Sequence, residues 1–122
     1  MTTFIDPQSA RLSDKATHAS LTYAARTARS TAQAWLCLEA AHVVGQLHLL
    51  PHLQTHTHML GLAWRTRDGS EVAGQVLRIV LVPLGHLSGR LPLGNPGRSK
   101  VGAFESLPVR PELADMIARA RG

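Results

Sequence analysis

Cysteine is nearly absent. Cys37 stands alone, which excludes an internal disulfide and any zinc site built on cysteine pairs. Aromatic residues make up 4% of the 122 positions, so alanine and aliphatic side chains must fill the interior. Alanine and leucine dominate and β-branched runs are short, a balance that favours helix over sheet. Lysine occurs only at Lys15 and Lys100. The net charge of +5 therefore rests on arginines scattered from Arg11 to Arg121 with no run of four. Dispersed charge of this kind reads as solvated helix faces, and nucleic-acid binding is not expected. No apolar run approaches the roughly 18 residues a membrane span needs. The longest, Val76 to Leu87, is short and carries Arg78 and His86. Met1 to Pro7 lacks the basic start and apolar stretch of a signal peptide, so a cytoplasmic protein is expected.

What is present fits one domain of 122 residues: a helical bundle over 8–85, an irregular tail over 86–109 and a short helix over 110–121. A first helix is expected over 8–28, with Leu12, Ala16, Ala19, Tyr23 and Ala24 as its inner stripe. A second helix over 31–46, capped by Ser30 or Thr31, is apolar on nearly every side and should be central. Pro51 suits the first turn of a third helix running to about Arg67. Asp68-Gly69 marks a turn, Ser70 a cap, and a fourth helix over 71–82 should end near Pro83 or Gly85. Glycines and prolines from Gly85 to Pro108 interrupt any regular pattern, and Pro111 opens the last helix. The fold class is all-α: four helices in two hairpins, with tetratricopeptide-like packing as one form. His42-Val-Val-Gly-Gln46 is echoed 29 residues later by Glu71-Val-Ala-Gly-Gln75.

Chemistry concentrates in one stretch. Five of the seven histidines, His42, His48, His52, His56 and His58, fall within 17 residues. Glu39 is the one acidic residue between Asp14 and Asp68, and it sits in the most apolar helix. A lone buried carboxylate is costly, so Glu39 needs a partner, a proton or a metal. Glu39 and His42 are i,i+3 and share a face, which Gln46 extends. His52, His56 and Met59 are i, i+4 and i+7 on the next helix. A short loop makes these helices antiparallel neighbours, so Glu39, His42, His52 and His56 converge as candidate ligands for one Zn, Fe, Ni or Cu ion. Gln46, Met59 and Glu71 are further candidates, as ligands or as residues that orient one. The competing reading is a polar network in which Glu39, His42 and a neighbouring arginine satisfy one another without metal. His18, His48 and His86 are expected at the surface or in loops. His58, about 200° round the helix from His56, points elsewhere, and Cys37 belongs to the core. Gly94 to Lys100 reads as a turn cluster.

The run Glu39-x-x-His42-x-x-Gly45-Gln46, then His52-x-x-x-His56-x-x-Met59, Trp64-x-x-Arg67-Asp68, Glu71-Val72-x-Gly74-Gln75-x-x-Arg78 and Gly94-Asn95-x-Gly97 resembles a family of small bacterial proteins classed as a domain of unknown function. The resemblance covers about residues 30–117. It departs in the tail, where relatives carry Gly-Asn-Thr-Gly-Gly-Ala-Asn-Val-Ser and this chain has Gly-Asn-Pro-Gly-Arg-Ser-Lys-Val-Gly over 94–102. It implies length, helical character and residue pattern, and no activity. More loosely, Arg29 to Gln46 looks like the second helix of a tetratricopeptide hairpin. The expected function is transition-metal binding in the cytosol. The alternative is a helical interaction module without chemistry, engaging a protein partner or a second copy.

Overall fold

The computed structural model describes residues 7–89, 94–102 and 105–122, with side chains from Ser13 onward. Five helices and no strand are found among the described residues: α1 (Pro7–Arg26), α2 (Thr31–Gly45), α3 (Leu49–Arg65), α4 (Gly69–Ser88) and α5 (Pro111–Arg121). No helix is long and apolar enough to cross a membrane.

Ser30 starts α2, its side-chain oxygen accepting the N–H of Gln33 at 3.1 Å. As its all-round apolarity requires, α2 is the central helix, in contact with α1, α3 and α5. Ala40 and Ala41 are wholly buried and let neighbouring backbones close in. Two apolar clusters result. Leu21, Ala40, Ala41, Val44, Leu113 and Ile117 join α1, α2 and α5. Ala34, Trp35, Leu38, Met59, Leu62 and Ala63 join α2 and α3. Each fully buried Leu, Ile or Met there contributes about 1.5–3 kcal/mol. Cys37 is buried and unpaired.

Several expectations are corrected. The inner face of α1 is Thr17, His18 and Leu21, while Ala16, Ala19 and Tyr23 face outward. The two polar residues tolerate burial because both are satisfied: Thr17 Oγ1 donates to the Ser13 carbonyl at 2.9 Å, and His18 Nε2 lies 2.7 Å from Thr55 Oγ1. Leu12 lies outside the residues described to their side chains. Asp68, not Ser70, caps α4 by accepting the N–H of Glu71 at 3.1 Å. Pro83 does not end α4, which runs on to Ser88 and closes on Gly89 at φ +75°. Proline there removes one helical hydrogen bond, and its side chain faces solvent.

Candidate metal centre

Three helices and the tail build the site. His42 comes from α2, His52 and His56 from successive turns of α3, and all three are at most 3% exposed. His42 Nε2 lies 3.0 Å from His52 Nε2 and 3.2 Å from His56 Nε2. Among the described residues this trio is the one His/Cys/Asp/Glu group whose ligand atoms gather tightly enough to hold an ion. Metal–nitrogen bonds of 2.0–2.1 Å at tetrahedral angles separate donor nitrogens by about 3.3 Å, close to these spacings.

The far side of each ring is held. His42 Nδ1 lies 2.5 Å from the backbone oxygen of Asn95. A carbonyl only accepts, so Nδ1 carries the hydrogen and Nε2 is left bare. His56 Nδ1 lies 2.6 Å from Gln75 Oε1, whose amide nitrogen donates to Glu71 Oε2 at 2.8 Å and to the Gly97 carbonyl at 2.9 Å. That commitment turns the amide oxygen to His56, and its Nε2 is bare as well. His52 Nδ1 lies 3.0 Å from His86 Nε2. The His42–His52 contact can contain a hydrogen, if His52 carries it on Nε2. The His42–His56 contact has none when both rings are neutral, and two lone pairs then face across 3.2 Å.

Burial keeps the rings neutral. It pulls His56 down to about 4 against the opposing hydrogen bond to Gln75, with Arg78 lowering it further and Glu71 raising it, and His52 down to about 3. His42 is lowered well below its ordinary value by burial, by its two neighbours and by Arg78. Burial would raise the Glu71 carboxyl, but hydrogen bonds from Arg98, Gln75 and the Ser99 N–H outweigh it, and the net shift is downward.

The tail closes the site. Gly97, at φ +86°, lies flat on the His42 ring, and a Cβ there would stand 2.6 Å from its Cδ2. Asn95 is buried, its amide donating to the carbonyls of Gly102 and Glu105 and its Oδ1 accepting the Gly97 N–H. Arg78 ties the tail to α4 through the carbonyls of Ser99 and Val101.

The other sequence candidates go elsewhere. Glu39 is buried but turned to arginines, with Arg110 Nη2 at 2.6 Å and Arg98 Nη1 at 3.5 Å. Glu71 binds Arg98 at 2.6 Å and reaches the histidines only through Gln75. Met59 is packed in the apolar cluster between α2 and α3, and Gln46 is buried at the C-cap of α2. His86, expected at the surface, is half-buried against His52. His18, also expected there, is buried on Thr55. His48 pairs with Asp14 at 3.2 Å, and His58 lines a separate cleft with Arg26 and Arg65. Sequence reasoning missed His86, Asn95, Gly97 and Arg98 as parts of the site. The paired Gln75-x-x-Arg78 and Gly94-Asn95-x-Gly97 motifs were the available signal.

A family model described as a protein of unknown function (DUF3703) matches residues 12–117, and the chain belongs to that family. No curated protein and no solved structure matches.

Proposed function

We propose that this member of a family without assigned function binds one transition-metal ion through the Nε2 atoms of His42, His52 and His56. The observation that carries the reading is the His42–His56 contact, where two nitrogens at 3.2 Å have both spent their hydrogens elsewhere. A cation between them turns mutual repulsion into shared coordination. Three neutral imidazoles suit Zn, Cu, Fe or Ni. Partners that fix the outer nitrogens are the usual companions of such ligands. The histidines thus form the coordinating set, and Glu39 and Glu71 fasten the surrounding structure. The reading places the protein in the cytosol, where it buffers, senses or delivers the ion.

The test is elemental analysis of protein purified without a histidine tag, with melting temperature measured before and after metal addition. About one ion per chain and a metal-dependent rise in melting temperature are expected, both lost in His42→Ala and His56→Ala. Substoichiometric metal under every supplement, with no thermal shift, would overturn the reading.

A second reading, favoured by the outer face of α4, is self-association. Among the helices α4 packs only on α3. Val76, Leu77, Val80, Leu84 and Leu87 are 49–86% exposed along its outer side, and Trp64 is exposed beside the base of the helix. These side chains offer on the order of 600 Å² per copy, so a symmetric pair would hide roughly 1,200 Å², the lower bound for a specific interface. Among the described residues of α4, none of those exposed along this side is ionised, and Arg67 lies beside Trp64 at its base. A dimer in sedimentation equilibrium that Val80→Glu converts to monomer supports this. A monomer at every concentration sinks it.

A further inference from the structure

We infer that the ion is cuprous copper, held three-coordinate. The inference rests on the metal reading above and goes on to the charge and coordination number of the ion.

Charge comes first. All three donors are neutral, and so is every group that holds them from behind: a backbone carbonyl, an amide oxygen and an imidazole. Ligating histidines elsewhere commonly lean on a carboxylate, which offsets part of the ion's charge. Here both nearby carboxylates are already spent, Glu39 on Arg98 and Arg110 and Glu71 on Arg98 and the Ser99 N–H. A third arginine, Arg78, is itself buried and acts on His42 and His56 as a positive charge, opposed at His56 by the Glu71 carboxylate. The cost of burying an ion grows as the square of its charge, so a dication costs about four times what a monocation does in this setting. The surroundings suit the least charged ion that imidazole binds.

Coordination number points the same way. Zn²⁺ completes its sphere with a fourth ligand, a carboxylate, thiolate or water. Among the described residues no fourth His, Cys, Asp or Glu joins the cluster. Gly97 lies on the His42 ring, and Gln75 and Asn95 are fully engaged, so the flank offers hydrogen bonds and no free donor. At these three histidines Zn²⁺ would have to take water as its fourth ligand, whereas cuprous copper needs no more than three imidazole nitrogens.

The experiment is anaerobic titration of the full chain with Cu(I) against a chromophoric cuprous chelator. Parallel titrations use Zn²⁺ and Ni²⁺ against a zinc indicator, and X-ray absorption is recorded on the loaded samples. One Cu(I) per chain, withdrawn from the chelator and bound by three nitrogens with no oxygen or sulfur, is expected. Gln75→Glu places a carboxylate against the His56 N–H and should move the preference toward Zn²⁺ by about tenfold or more. Tight one-to-one binding of Zn²⁺ or Ni²⁺ with four or more donors, and no retention of Cu(I), would overturn the inference and leave metal binding intact. Retention of no ion at all would overturn both.

Discussion

The guanidinium of Arg98 lies 3.8 Å above the ring of Trp35, and from that perch it reaches carboxylates on two helices, Glu39 and Glu71. Stacking desolvates one face of the guanidinium and fixes its plane, so the tail is pinned across α2 and α4 at one point.

Glu39→Gln tests what that carboxylate is for. It removes the charge facing Arg98 and Arg110. The expected loss is about 1–3 kcal/mol, softened because Arg110 is 43% exposed and Arg98 keeps Glu71. Bound metal per chain should stay at the wild-type value. Unchanged stability together with loss of the ion would instead make Glu39 a ligand.

The clustering of His42, His52 and His56 was legible because its signal is local. His52 and His56 are one turn apart, and a tight α2–α3 connection fixes which face of α3 meets His42. The all-round apolarity of α2 likewise announced its central place. The Gly94-Asn95-x-Gly97 motif marked Asn95 and Gly97 without giving their place, because their roles depend on a tail contact 53 residues beyond His42 that no periodicity encodes. Burial of His18 was hidden for a different reason. Leu12, Ala16, Ala19, Tyr23 and Ala24 at helical spacing suggested a stripe, yet His18 turns inward, where the hydroxyl of Thr55 on another helix satisfies it. For Glu39 the need for a partner was plain, but the arginines that meet it lie 59 and 71 positions away.

Acid should unfold the metal-free protein in two stages. His18 and His56 are held down to about 4 and His52 to about 3, each chiefly by burial. In the unfolded chain such imidazoles take up protons near 6.5. Between these values the unfolded state binds more protons, so stability falls as pH falls from about 6.5 toward 4, and these imidazoles contribute no loss above neutrality. Each imidazole contributes on the order of 3–5 kcal/mol to the full loss. Glu71, lowered from its ordinary 4.5, adds a second loss below that value. Denaturant titrations at stepped pH in chelator should show the decline beginning near the imidazole value. A flat profile between about pH 7 and 5 would contradict the buried neutral state.

Gly97→Ala should damage the site without touching a ligand. Its backbone sits at φ +86°, and the added methyl would press on the His42 ring. A loss of about 1–3 kcal/mol is expected from the backbone alone. Displacement of His42 should weaken ion binding by about tenfold or more, since outer partners of a ligand carry that weight. Melting and competitive metal titration of the variant check both numbers. Wild-type affinity would show that the tail does not position the ring.

Pro83→Ala should stabilise. The residue lies inside α4 with its side chain exposed, and alanine restores a helical N–H at a position where proline costs up to about 3 kcal/mol. A gain of roughly 1–2 kcal/mol in denaturant midpoints is expected. A loss would mean that the missing hydrogen bond shapes the helix beside His86.

The carbonyl of Asn95 and the backbone of Gly97 belong to a stretch with no regular ladder of its own, stapled to the helices by side chains. Such stretches open at a small fraction of the global unfolding cost. Ring and tail therefore share a single latch. Whatever steadies the His42 imidazole shuts residues 94–102, and whatever tugs on those residues lets the imidazole swing.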